Sequence, residues 1–259
     1  MKLIISPAKK MIEDPDTFRM EGSPVFIEET EILMRAVQAL SFAEAKALWR
    51  CNDRLAELNF ERFRQMDLSR GTTPALIAYE GIQYQYLAPK TLEAEALSWL
   101  SEHLFILSGF YGILRPFDGV VPYRLEMQAA LKTGKAKDLY GFWGNRIYKF
   151  LTGENRPASG REQEPEPVIN LASKEYAKAV EPYLTKEDRY ISCVFAERAA
   201  GKLRQKATLA KMARGEMVRF LAERRAEDPE EMKAFAGLGF AFSEADSDEK
   251  TFVFVKEAE

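Results

Sequence analysis

The stretch MKLIISPAKKM (residues 1–11) sets the terms of the fold. Leu3, Ile4 and Ile5 form an unbroken apolar run without polar alternation, as expected of a strand covered on both faces. Ser6-Pro7 stops the run, and Lys9 and Lys10 follow at once. The same grammar returns in HLFILSGFYGILRP (103–116), where an apolar strand, Leu104 to Leu107, runs into Ser108-Gly109. It returns again in VINLASKEYAKAV (168–180), with Ser173 placed to cap a helix. Three such strands, laid parallel, gather Ser6, Lys9, Ser108, Arg115 and Ser173 along one sheet edge, where α/β folds place ligands. Lysine, arginine, backbone N–H groups and a helix start together suit a phosphate. Ser, Gly and Pro also favour turns for local reasons, so the pattern alone does not separate a site from three turns.

Working outward, residues 27–40 and 42–58 carry apolar side chains at helical spacing, with Ser41 as the cap between them. Residues 74–79 read as a strand and 93–100 as a helix. RYISCVFAE (189–197), GFAFSE (239–244) and TFVFVKE (251–257) predict further strands. Between the first two lies a basic helix over 209–221, with Leu209, Met212, Ala213, Met217, Phe220 and Leu221 as its core stripe and Lys211 and Arg214 toward the other side. The aromatic residues of YGFWGNRIYKFL (140–151) fit the buried face of a helix better than a stacking platform. GENRPASGREQEPEP (153–167) predicts a mobile surface loop. The whole reads as one mixed α/β domain, and 259 residues at 46% hydrophobic content suffice for a full core.

Composition narrows the chemistry. No run approaches the ~20 apolar residues of a membrane span and the start lacks a signal-peptide pattern, so a cytoplasmic protein with no membrane partner is expected. One histidine and two distant cysteines, Cys51 and Cys193, encode no metal or redox pair, and no cofactor or metal is expected. His103 reads as a surface residue at a strand entry. The net charge of -3 is unevenly spread: residues 198–225 hold nine basic and two acidic side chains, while 227–259 hold ten acidic and three basic. Either an anionic partner uses the basic surface, or the acidic tail folds back and neutralises it. YGILRPFDGVVPYRLEM (111–127) crowds Arg115, Asp118, Tyr123, Arg124 and Glu126 into a loop, as a working site or as a staple pairing Arg124 with Glu126 or Asp118.

SPAKKM (6–11), LSGFYGILRPFDGVVPYRLEM (107–127), DLYGFWGNRI (138–147), INLASKEY (169–176) and AKMARGEMVRF (210–220) occur in this order. With them the chain resembles the YaaA family of bacterial peroxide-stress proteins, from Met1 to about Phe254. The resemblance implies a single-domain α/β protein, a central mixed sheet flanked by helices with a basic cleft and a helix-hairpin-helix element near 42–64; a monomer is expected. It also implies sequence-independent, structure-selective binding of duplex DNA and a part in limiting iron-dependent oxidative damage. Phosphate contacts are then expected from Lys9, Lys10, Arg54, Arg115, Arg124, Lys206, Lys211 and Arg214. In one respect the chain departs from the family pattern: Glu57 stands where a DNA-binding hairpin of this kind has a glycine, which weakens the hairpin as a phosphate contact.

The alternative is an enzyme acting on a phosphorylated or nucleotide-like small molecule in a pocket at the strand ends. Its expected lining is Ser6, Lys9, Ser108, Tyr111, Arg115 and Tyr123, continued by Arg124, Asn170, Ser173, Glu175 and Tyr176. Lys9 and Arg115 would hold the anion, and a Ser, a Tyr or Glu175 would act as acid or base.

Overall fold

Strand β1 (Lys2–Ile5) lies near the middle of the molecule, and Leu3, Ile4 and Ile5 have no solvent exposure at all. The structure is a computed structural model and describes residues 1–153 and 165–257. Most of the loop expected at 153–167 lies outside the described residues.

After β1 come β2 (Lys10–Met11), α1 (Ile27–Gln38), α2 (Phe42–Trp49), α3 (Asp53–Arg64), β3 (Thr73–Pro74), α4 (Ala75–Ala78) and β4 (Tyr79–Glu80). The middle of the chain forms α5 (Ile82–Leu87), α6 (Ala94–His103), β5 (Leu104–Ser108), β6 (Gly112–Leu114), β7 (Gly119–Val120), α7 (Leu139–Trp143) and α8 (Arg146–Thr152). The rest forms β8 (Val168–Leu171), α9 (Lys174–Ala177), β9 (Tyr190–Ala199), β10 (Lys202–Arg204), α10 (Ala207–Arg224), β11 (Ala241–Phe242) and β12 (Thr251–Glu257).

The main sheet runs β11-β12-β9-β8-β1-β5-β6, with β10 hairpinned onto β9. β12, β9, β8, β1 and β5 are mutually parallel, whereas β6, β10 and β11 pair antiparallel. The fold is therefore mixed α/β with a mixed central sheet. Register places Ile5 opposite both Ile106 and Leu171, so the carboxyl ends of β1, β5 and β8 emerge side by side. Parallel strands need crossovers, and those before β5 and β12 use helices that cover the sheet. Among them, α6 packs on β1, and α10 packs on β9, α5 and α6.

Local chemistry explains several element ends. Ser41 and Glu44 form a reciprocal capping box at the start of α2, as the serine predicted. The helical pattern over 42–58 does not continue unbroken: Arg50 takes a left-handed conformation (φ 47°) and Asn52 caps α3 through the Leu55 N–H at 3.0 Å. The reversal thus falls at 50–52, and Glu57 is an exposed residue inside α3 rather than the hairpin turn. Residues 74–79 likewise differ from the expected strand, because α4 interrupts them. The aromatic segment 140–151 divides into α7 and α8 at Gly144 (φ 51°), with Trp143 fully buried.

His103 is buried, not at the surface. Its ring stacks on Trp99 at 4.4 Å and Nδ1 bonds the Met1 carbonyl oxygen at 2.6 Å, fastening α6 to the start of β1. The acidic tail does fold back in part: Arg198 pairs with Asp246 and Glu257. Among the described residues, no helix is long and apolar enough to cross a membrane.

Candidate functional site

The loops leaving β1 and β8 meet at two serines. The Ser173 backbone N–H donates to Ser6 Oγ at 2.8 Å, and Ser6 Oγ lies 3.2 Å from Ser173 Oγ. Ser173 holds the cap position of α9, but its hydroxyl bonds across the strand ends instead of capping that helix. Tyr84, from α5, donates its hydroxyl to the Ser6 carbonyl at 3.0 Å. Gly81 permits this approach, since a Cβ there would stand 2.9 Å from the Ala8 Cβ.

These loops, α5, the 123–126 segment and α10 enclose a cleft of about 390 Å3. Ser6, Lys9, Tyr123, Arg124, Ser173, Glu175 and Tyr176 line it, as do Lys10, Lys211 and Arg214. Five cationic side chains face three carboxylates there, the third being Glu80 beside Glu126 and Glu175.

Most of these charges are already matched. Glu126 takes Lys9 on one oxygen at 2.9 Å and Arg124 on the other at 3.0 Å, so one arm of the expected arginine staple exists. Lys10 pairs with Glu80 at 2.8 Å. Arg214 is different. Among the described residues its Nε is buried without a hydrogen-bond partner, and burial lowers its pKa against only the nearby Cys193 thiol, with no carboxylate opposing the shift. Arg124 Nε is also buried and unpartnered. Lys211, one helical turn from Arg214, is exposed on the rim.

Behind the cleft lies a layer of phenols. Ser108 Oγ accepts the Phe110 and Tyr111 N–H groups at 3.2 and 2.9 Å and lies 2.6 Å from Tyr123 Oη, which lies 2.9 Å from Tyr79 Oη. With both Ser108 lone pairs used, its proton goes to Tyr123, whose hydroxyl is paired in turn with that of Tyr79. Burial pushes the Tyr123 hydroxyl up to about 12 and that of Tyr84 well above its usual range, so both remain neutral donors. Glu175 is raised by burial and by Glu126, against the Gln128 N–H that it accepts at 3.3 Å and the charge of Lys9.

The remaining expected residues do not line the cleft. Ser108 and Tyr111 are fully buried structural groups, Tyr111 accepting the Val121 N–H at 3.1 Å. Asn170 is turned to its own loop and accepts the Ala172 N–H at 2.9 Å. Arg115 is exposed and lies over the Phe150 ring at 5.7 Å. Arg54 is exposed on α3, and Lys206 pairs with Glu197 at 2.5 Å. Among the described residues no group of three or more His, Cys, Asp and Glu side chains is placed to hold a metal ion. Gln83 and Tyr84 were not foreseen; the signal was Gly81, a break that lets α5 close on β1.

The order of motifs around this cleft has counterparts in other proteins. A family model described as peroxide stress protein YaaA matches residues 1–246. The chain belongs to the YaaA family. A UPF0246 protein of Lactiplantibacillus plantarum is 50% identical over 255 residues, covering 98% of this chain and 99% of the relative. UPF0246 proteins of Lachnoclostridium phytofermentans and Desulfitobacterium hafniense are 48% and 50% identical over 256 residues, each covering 99% of this chain and 96% and 98% of the relatives. All the cleft residues fall within the span that the YaaA model matches.

Proposed function

We propose that this YaaA family member serves the peroxide response by binding a phosphorylated, nucleotide-like ligand in the cleft at the ends of β1 and β8. The observation that carries this reading is Arg214. A largely buried guanidinium with no carboxylate beside it among the described residues is costly, and an anion entering the cleft would offset its charge. Lys211 offers a further donor to the same anion while Lys9 and Arg124 stay on Glu126, and the Tyr84, Tyr123 and Tyr176 rings offer apolar walls for a sugar or base. Titration calorimetry with a nucleoside monophosphate tests the reading. Saturable binding that Arg214→Gln weakens at least tenfold supports it, and no binding at millimolar nucleotide refutes it.

A second reading has its own support in the exposed cations Lys10, Lys211 and Arg54. In it the protein, a cytoplasmic monomer of one domain, binds duplex DNA through its phosphates without reading sequence and so helps to limit iron-dependent damage. The α2–α3 pair then serves as the helix-hairpin-helix contact. Binding titrations on a duplex at several salt concentrations test it. Lys211→Ala should weaken binding on all sequences and reduce the salt slope by about one. An unchanged slope, or no duplex binding at low salt, refutes it.

A further inference from the structure

Two carboxylates in the cleft are held in opposite ways. Both oxygens of Glu126 are engaged, Oε1 by Arg124 and Oε2 by Lys9, which fixes it as an anion. Glu175 anchors Oε1 on the Gln128 N–H at 3.3 Å and has no cation in ion-pair contact among the described residues. It is the cleft carboxyl free to hold and release a proton. We propose that Glu175 is a general acid and that the protein hydrolyses the N-glycosidic bond of a nucleoside monophosphate, an inference that rests on the nucleotide-like ligand proposed above.

The chemistry of the bond leads to this class. Breaking a C1′–N bond builds positive charge on the sugar and demands a proton on the departing base, so it needs an acid on one side and a fixed negative charge near the sugar. Glu175 and Glu126 supply those two requirements, and Arg214 with Lys211 supplies the phosphate anchor that holds the nucleotide in place.

The step balances with water as co-reactant. The C1′–N electron pair leaves on the base nitrogen, which takes the proton of Glu175. Water oxygen bonds to C1′, and its surplus proton passes to the Glu175 carboxylate, which restores the acid. The products are a free base and a pentose phosphate.

The groups facing Glu175 favour its protonated form on balance. Burial, the largest cause, and Glu126 raise its pKa, while the Gln128 N–H, Lys9 and the Met127 N–H oppose them. Tyr140 and Tyr176 also interact with it, and both are neutral phenols whose pKa values are raised mainly by burial. Activity should therefore fall as pH rises through the Glu175 pKa, because the acid is then lost.

The test incubates the purified full chain with AMP, GMP, CMP and UMP separately, separates free base by chromatography, and measures nucleotide binding in parallel by calorimetry. The expected result is release of base and pentose phosphate from at least one of the four. Glu175→Gln, purified identically, should lose roughly 100-fold or more of the turnover while still binding that nucleotide, and should lose the alkaline limb of the pH profile. Nucleotide that binds but stays intact, or turnover unchanged in Glu175→Gln, overturns the hydrolase and leaves the ligand reading standing. Absence of binding to all four overturns the ligand reading and the hydrolase with it.

Discussion

Replacing Arg214 by methionine should make the empty protein more stable. The arginine contributes a buried Nε with no partner, and burial already presses against its charge. An unsatisfied buried donor costs about 1–3 kcal/mol, whereas methionine keeps the length of the stem and its packing in α10 without the polar head. Because the guanidinium still borders the cleft, part of that cost is relieved by water, and a net gain of about 1–2 kcal/mol is expected. Urea unfolding at pH 7 reads it directly: with a slope of about 2–3 kcal/mol per molar, the midpoint should rise by roughly 0.5 M. Nucleotide should then reverse the order. At about 100 times its Kd a ligand stabilises the native state by about 2.7 kcal/mol, a gain that wild type receives and Arg214→Met does not. A midpoint that falls by the equivalent of about 2 kcal/mol or more would refute the reasoning, since Arg214 would then have a stabilising partner inside the protein.

Gly215, the next residue on α10, packs against α5 so closely that a Cβ would overlap the Gln83 carbonyl oxygen and stand 2.9 Å from its carbon. Gly215→Ala should therefore cost about 2–3 kcal/mol in urea unfolding, and a cost below about 1 kcal/mol would mean that the two helices separate easily. Arg50 holds a left-handed conformation at the end of α2, so Arg50→Gly should stabilise by about 0.5–1 kcal/mol, and a lower melting temperature would count against that geometry. Buried Asp118, which accepts the Arg115 N–H at 2.8 Å, is pushed up to about 6 chiefly by burial. Its folded pKa exceeds the unfolded value, so its contribution favours the native state below pH 4 and is lost as pH rises through about 6. The stability of wild type relative to Asp118→Asn should thus fall by about 2 kcal/mol between pH 4 and 7. A constant difference across that range would show that Asp118 is not titrating there.

What the sequence revealed of the fold followed from uninterrupted apolar runs. LII at the start and LFIL, with VINL broken only by Asn170, read as interior strands, and their shared exit into serine loops foretold that β1 and β8 end together at Ser6 and Ser173. Ser41 with Glu44 marked a helix start through chemistry confined to four residues. Where the outcome depended on distant partners, the sequence misled. Apolar spacing over 42–58 suits one helix as well as two, and the break depends on Arg50 accepting a positive φ. Ser108 shares the grammar of the other serines, yet the phenol of Tyr123, fifteen residues on, captures it and removes it from the surface. Arg115 sits at a strand end, but on β6, whose antiparallel return carries it away from the cleft to Phe150. Arg214 was legible only as a basic residue on a basic helix; that no described residue gives it a counter-charge is a property of the packed structure.

The measurement closest to the central claim is calorimetric titration of a nucleoside monophosphate, with inorganic phosphate as the simpler probe, into wild type and Arg214→Gln at low ionic strength. The account predicts one saturable site in wild type, tighter for the nucleotide than for phosphate because the phenol walls add contact, and at least tenfold weaker binding of both probes in the variant. Equal heats in the two proteins, or no saturable binding by either, would contradict it.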